Sequence, residues 1–299
     1  MKKRLITIIL LSLTTLLAGC TVSDNTHHVK SNSKTVKVEK KIKPKQGKYQ
    51  VIEQNWTIQR DGVNIYGRLY LPQNKVGKKK AVILAHGLAG NHQDLANYAK
   101  YLASCGYLAY AFDFPGGAKR GLSNGIDQLQ MSIFTEEQNL KTVLKAVKNR
   151  NDVNSKRVSL LGESQGGAVA AMLASKNPKE IRSLILLYPA FSISDYTQAA
   201  FGSIKKVPKT LNLFGFTVGK AYFEKLFKFN LLRSATKYHG PVLLLHGTDD
   251  IIVPETYSEK AAKKFKHAQL YKFKHAGHDF KGKYQKCAFT LIDNFLEKN

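Results

Sequence analysis

Arg157-Val158-Ser159-Leu160-Leu161-Gly162-Glu163-Ser164-Gln165-Gly166-Gly167 passes from an apolar stretch into a serine flanked by glycines, and Ala168–Ser175 beyond it is helix-like. The bare pattern Gly-x-Ser-x-Gly is weak evidence, since at ordinary glycine and serine frequencies about one chain in ten of this length contains it by chance. Its setting carries the weight. A strand that turns sharply into a helix holds the serine in strained geometry and exposes its hydroxyl, while the glycines let neighbouring backbone approach. The helix start also presents unpaired N–H groups to any negative charge that develops there.

Working outward, short apolar runs recur with helix-length stretches between them: Ala81–His86, Leu108–Phe112, Val158–Gly162, Leu184–Tyr188, Val242–His246 and Leu270–Phe273. Strands alternating with helices predict a mostly parallel sheet covered on both faces, an α/β fold. Gln50 to Gln59 and Val63 to Leu71 alternate around Arg60-Asp61-Gly62, which predicts a β-hairpin forming an antiparallel edge. Between Tyr188 and Gly240 the rhythm breaks into an aromatic-rich, Lys-rich insertion. No repeat or second core is evident, so one domain with a cap, about 190–238, is expected.

From Ser164 onward the order of motifs resembles the α/β-hydrolase superfamily, over essentially everything after about Lys48. In that family an acid and then a histidine follow the serine, each after a later strand. Here Val242–His246 leads into Gly247-Thr248-Asp249-Asp250-Ile251-Ile252-Val253-Pro254, similar to the family's H-G-x-x-D-x-x-V-P segment. Leu270–Phe273 leads into Lys274-His275-Ala276-Gly277-His278-Asp279-Phe280, similar to its G-x-G-H-x-F segment. The resemblance implies the α/β-hydrolase fold and a catalytic set of Ser164, Asp250 and His278. A serine hydroxyl is a poor nucleophile until an imidazole takes its proton, and the acid holds that imidazole's tautomer. His86-Gly87-Leu88 falls where the family has its H-G-x loop, so the resemblance implies an oxyanion hole from the N–H groups of Leu88 and Gln165.

Other residues have plainer readings. His86 reads as support for its turn and His275 as a loop residue. Glu163 reads equally as a pocket residue or an exposed one. Asp113-Phe114-Pro115-Gly116-Gly117 stands where relatives carry D-x-R-G-x-G, so that loop's details do not transfer. Cys105 and Cys287 lie in helices that share a sheet face in the superfamily, and either a disulfide or two buried thiols fits.

Serine as nucleophile argues against haloalkane dehalogenases, and the chain has no room for a peptidase propeller. Within the superfamily the chain looks most like bacterial cinnamoyl/feruloyl esterases and lipase-like relatives. That resemblance implies a serine carboxylic-ester hydrolase acting through an acyl-enzyme on small to medium acyl or aryl esters. A thioesterase, a serine peptidase and a non-catalytic surface-binding lipoprotein on the same fold are the alternatives. Phe191, Tyr196, Phe201, Phe214, Phe216, Tyr222, Phe223, Phe227 and Phe229 fill the insertion, either as an acyl-pocket lining or as the cap's own small core. Lys205, Lys206, Lys209, Lys220, Lys225 and Lys228 give it a basic exterior.

The amino terminus reads as an address. Lys2, Lys3 and Arg4 precede an apolar run from Leu5 to Leu17, too short for a comfortable span, ending in Leu17-Ala18-Gly19-Cys20. That ending resembles the lipobox of bacterial lipoproteins. It implies removal of a signal peptide, residues 1–19, and lipid attachment at Cys20, with membrane anchoring outside the cytoplasm. Residues 20–47 lack a hydrophobic period and carry seven lysines against Asp24 and Glu39, which predicts a disordered basic tether able to meet anionic lipid or cell-wall polymer. The 299-residue chain holds 47 Lys+Arg against 21 Asp+Glu, a net charge of +26. Such charge bears on encounter and solubility rather than fold, and no nucleic-acid motif accompanies it. Neither C-x-x-C nor H-E-x-x-H occurs, and His27-His28 has no third ligand nearby. No metal or other cofactor is expected, and a small-molecule ester is the expected partner.

Overall fold

Apolar runs too continuous for a half-exposed strand become the centre of the sheet. The computed structural model describes Val22–Asp24 and residues 46–299. In chain order the elements are β1 (Val22–Asp24), β2 (Val51–Arg60), β3 (Val63–Pro72), β4 (Lys79–Ala85), α1 (Ala96–Ser104), β5 (Leu108–Phe112), α2 (Ile133–Lys148), β6 (Val153–Glu163), α3 (Ser164–Lys176), β7 (Leu184–Leu187), α4 (Ile193–Phe201), β8 (Thr210–Leu213), β9 (Phe216–Gly219), α5 (Ala221–Glu224), α6 (Leu231–Ala235), β10 (Pro241–Gly247), α7 (Thr256–Lys264), β11 (His267–Phe273) and α8 (Gly282–Lys298). The main sheet has the order β1-β11-β10-β7-β6-β4-β5-β3-β2. Its centre is parallel, and β2 and β3 form the antiparallel edge. The sheet, its covering helices and the hairpin are those the apolar runs predict.

Side-chain alternation divides the core into two layers. Ile83, Leu160, Leu186 and Leu244 face α2, α3 and the cap on one side. Val82, Leu84, Leu161, Ile185, Leu187, Leu243 and Leu245 face α1 and α8 on the other. Burial on both faces is why these strands lack a polar alternate. At the hairpin, Arg60 pairs with Val63, and Asp61 (φ 47°) with Gly62 (φ 77°) supplies the two positive-φ positions of a two-residue turn. Helix α2 starts at Ser132 with a capping box closed by Thr135.

One expectation needs correction. Composition predicts a tether with no structure before Lys48, yet Val22–Asp24 pair antiparallel with β11, Val22 opposite Phe273. Without it β11 would be an open edge, and an open edge recruits backbone whatever its side-chain period. The signal segment, Cys20, Thr21 and residues 25–45, His27-His28 among them, lie outside the described residues. The insertion holds α4, α5 and α6 and a separate two-stranded sheet, β8–β9. Of its rings, Phe191, Phe216, Tyr222 and Phe223 are buried in the same apolar layer as Ile83, Leu160, Leu186 and Leu244, and Phe201 packs edge-on against Phe223. Phe214 and Tyr196 are exposed. Cys105 and Cys287 are not joined in a disulfide.

Candidate active site

The residues that carry the family resemblance gather at the carboxyl ends of β4, β6, β7, β10 and β11. Ser164 stands where β6 passes into α3, with φ 48°, a region that side chains with a Cβ seldom occupy. It remains partly exposed. The turn closes only because its neighbours are small: a Cβ on Gly166 would collide with the carbonyl oxygens of Ala85 and His86 at the end of β4. One on Gly87 would lie 3.1 Å from Ser164 Cβ, so the 86–88 loop lies directly against the serine.

That loop is held from several sides. The Phe114 N–H donates to His86 Nε2 (2.9 Å), so the proton is on Nδ1, which donates to the Gly87 carbonyl (2.7 Å). Burial lowers the His86 pKa, consistent with a neutral supporting ring rather than a proton carrier. Ala89 N–H bonds to Gly117 O, Gly90 N–H to Gly87 O, and Gly87 N–H to Glu163 Oε1. With those three engaged, the Leu88 N–H is the amide of this turn that meets no acceptor among the described residues. The Gln165 N–H, in the first turn of α3, is one of those a helix start leaves without an internal acceptor. The loop that departs from the family pattern buttresses this arrangement: Asp113 accepts from the His92 N–H (2.7 Å), His92 Nδ1 (2.8 Å) and the Leu122 N–H (2.8 Å).

Of the two adjacent acids, only Asp250 meets the histidine. Its Oδ2 accepts from His278 Nδ1 (2.7 Å) and lies 3.2 Å from His246 Nε2, while Oδ1 accepts from the Ile252 and Val253 N–H groups, each at 2.9 Å. Burial alone would raise the Asp250 pKa, but the hydrogen bonds from His246, His278 and the Val253 N–H outweigh it and hold the carboxyl below the ordinary range. It is an ionised acceptor with every donor in place. Asp249 instead bonds Thr248 Oγ1 and His275 Nδ1 (3.3 Å), both at the surface. His275 is the loop residue expected.

Several side chains were not singled out by the sequence, or were read incompletely. Glu163 is buried, not exposed: it accepts from the Tyr188 hydroxyl (3.0 Å) as well as from Gly87. Burial pushes its pKa up to about 7 despite the Tyr188 hydroxyl. The Tyr188 ring lies 4.5 Å from that of His278, so one tyrosine links the histidine to the residue preceding Ser164. The one proton on His246 Nε2 is shared between Val253 O (2.9 Å) and Asp250 Oδ2 (3.2 Å), and its Nδ1 meets Ser258 Oγ (2.7 Å), fixing the ring beside Asp250. Beneath Gln165, the amide donates to Glu136 Oε2 (2.9 Å) and accepts from the Tyr222 hydroxyl (2.6 Å), joining α2 and the cap to the serine turn. The available signal was positional, since Tyr188 and His246 stand at strand ends where open α/β sheets build their sites.

Burial raises Glu136 to about 8, so it is protonated at neutral pH and titrates in a testable window. The folded state keeps this proton where the unfolded chain has released it. The stabilisation is complete below the unfolded value, about 4.3, and is lost as pH rises through about 8. Glu136→Gln preserves the acceptor for Gln165 and cannot ionise. The expected result is a melting temperature that falls less than that of the wild type between about pH 5 and about pH 9, by at least about 3 °C. Scanning calorimetry across that range checks it, and parallel curves would show that Glu136 does not titrate there.

Comparison with known proteins gives the same superfamily. A family model described as serine aminopeptidase S33 (Hydrolase_4) matches residues 77–226, and one described as alpha/beta hydrolase fold matches residues 198–281. The uncharacterized protein YfhR of Escherichia coli K12 is 28% identical over 207 residues, 67% of this chain and 64% of its own length, so the match leaves about a third of that relative unaccounted for. A Mycoplasma pneumoniae protein named putative esterase/lipase 2 is 24% identical, covering 74% of this chain and 90% of its own. Among solved structures, Est1E from Butyrivibrio proteoclasticus superposes with a TM-score of 0.71 at 21% identity, covering 82% of this chain and 99% of that one.

Proposed function

The chain belongs to the α/β-hydrolase superfamily and is a hydrolase, and from that membership we propose that it is a serine carboxylic-ester hydrolase. The observation that carries the proposal is the pairing of a serine at φ 48° on the strand-to-helix turn with an Asp250–His278 pair at 2.7 Å. With its Nδ1 proton held by Asp250, His278 has Nε2 free to take the Ser164 proton. Ser164 Oγ attacks the ester carbonyl, and the oxyanion is received by the N–H groups of Leu88 and Gln165. His278 returns the proton to the departing alcohol, leaving an acyl-serine. Water then attacks that acyl group, again losing its proton to His278, and the acid departs as Ser164 is restored.

An ester is favoured over an aminopeptide by where the nearby carboxylates point. An aminopeptidase needs an anion to hold the substrate's ammonium group. Glu163 is turned inward to Gly87 and Tyr188, and Glu136 to Gln165, so neither is offered to a cation. A net charge of +26 also repels cationic substrates. Est1E, whose fold is similar, has been solved with ferulic acid bound, which agrees with aryl esters as the first substrates to try. The test compares a graded series of acyl and aryl nitrophenyl esters with aminoacyl nitroanilides. Faster turnover of the anilides would favour a peptidase.

The proposed setting is the outer face of the cell membrane, reached through lipid on Cys20, with a substrate met at that surface. Cys20→Ser is expected to leave the catalytic domain unchanged while moving the protein from the detergent phase to the aqueous phase on Triton X-114 partition. Equal partition and equal unlipidated mass for both forms would remove the anchor from the account.

A further inference from the structure

Phe214 departs from what its position favours. It sits at the tip of the β8–β9 hairpin, where Leu213 pairs with Phe216 around a two-residue turn with φ 53° at Phe214 and 78° at Gly215. Asn, Asp and Gly tolerate the first of these positions, whereas a bulky aromatic there is strained. The ring is 77% exposed, so core packing does not offset the strain. Asn212 Oδ1 accepts from the Gly215 N–H (2.9 Å) and secures the turn, but this has no use for an aromatic side chain. A single exposed apolar residue is ordinary. An exposed ring on strained backbone at a projecting tip has no explanation in the fold.

The charge of the segment that carries it indicates what it meets. Between residues 202 and 230 the chain carries six lysines against Glu224 alone. Lys205, Lys206, Lys209, Lys225 and Lys228 are exposed, and Lys119 reaches the Gly215 carbonyl (3.5 Å) beside the ring. The loop packed under β9 through the Gln128 side chain and Thr217 O adds the exposed Leu129. A soluble polyanion would satisfy the lysines and leave the ring in water. An anionic bilayer satisfies both, taking the ring at the headgroup boundary and the ammonium groups at its phosphates.

We propose that the β8–β9 tip is a membrane-docking element that seats Phe214 in the interface of an anionic phospholipid bilayer. Strand β9 leads into Tyr222, whose hydroxyl bonds Gln165 beside Ser164, so docking holds the serine near the lipid surface. Four-residue strands rise only about 13 Å. Esters dissolved in or emerging from that surface would then be the substrates nearest the cap. The docking itself does not depend on which bond is hydrolysed.

The chain has one tryptophan, Trp56, on β2, which serves as an internal reference. Full-length wild type and Phe214→Trp are mixed with vesicles of brominated phosphatidylglycerol or brominated phosphatidylcholine. The emission added at position 214 should fall at least about twofold on the anionic vesicles, and markedly less on the neutral ones or in about 0.5 M salt. Lys205→Glu, Lys206→Glu and Lys209→Glu combined should abolish the difference between the two lipids. In the unmodified chain, amide exchange over residues 210–219 should slow on the anionic vesicles. An N-terminal anchor would bring both proteins to the vesicle alike, so the signal specific to position 214 still reads the tip. Emission at 214 that lipid does not quench overturns the proposal, as do hairpin amides that exchange equally fast with and without vesicles. Retention by dextran sulfate without lipid quenching overturns it in favour of a polymer contact.

Discussion

Asp250→Asn is expected to lower turnover of an activated ester by about 10⁴ at neutral pH, while Asp249→Asn loses about tenfold or less. The two residues are neighbours of the same type, so the contrast isolates geometry. The amide oxygen of the introduced asparagine would still accept from the Ile252 and Val253 N–H groups, as Asp250 Oδ1 does now. On the other side, an amide NH₂ facing His278 Nδ1 would force the proton onto Nε2. The nitrogen that must accept the serine proton would then already carry one. Asp249 holds only exposed Thr248 and His275, so its loss should loosen a surface loop. Steady-state kinetics of both variants on one ester decide the matter, and a dead Asp249→Asn beside an active Asp250→Asn would reassign the acid.

Ser164→Ala is expected to lose at least about a thousandfold in turnover while melting close to the wild type. Alanine keeps the Cβ, so the strain of a positive φ at the turn is unchanged, and only the hydroxyl is removed. The remaining rate is what binding and the oxyanion hole supply without a nucleophile. Turnover within tenfold of wild type in a preparation free of contaminating esterase would mean that Ser164 is not the attacking group.

The central sheet was legible because burial on both faces writes itself as unbroken apolar runs such as Ala81–Ala85 and Leu184–Leu187. The edges were less so. Strand β1 is three residues held by backbone pairing to β11, and such pairing leaves no periodic trace. The serine turn was legible from its strand-to-helix setting, and Asp250 and His278 from an order of motifs that resembles the superfamily's. Choosing Asp250 over Asp249 needed the spacing to Val253-Pro254, whose N–H at Val253 is indeed one of the donors to Asp250. What stayed hidden were contacts between distant segments. Tyr188 joins Glu163 to His278, and Tyr222 reaches Gln165 from 57 positions away. No local pattern encodes such a meeting, because it depends on how the cap settles on the sheet. The cap aromatics illustrate the same limit: a ring buried against the main core, such as Phe223, and a ring in solvent, such as Phe214, read alike in sequence.

The most direct test of the account is covalent. A fluorophosphonate reacts with a serine only when a base removes its proton and an oxyanion site accepts the phosphoryl oxygen, so it reports nucleophile, histidine and hole together. Treating the full-length protein with such a probe and mapping the adduct by peptide mass spectrometry should place one phosphonyl group on Ser164. The adduct should be absent from Ser164→Ala and strongly slowed in Asp250→Asn. An unlabelled wild type that is folded by circular dichroism, or an adduct on another residue, would contradict the assignment of a serine hydrolase centred on Ser164.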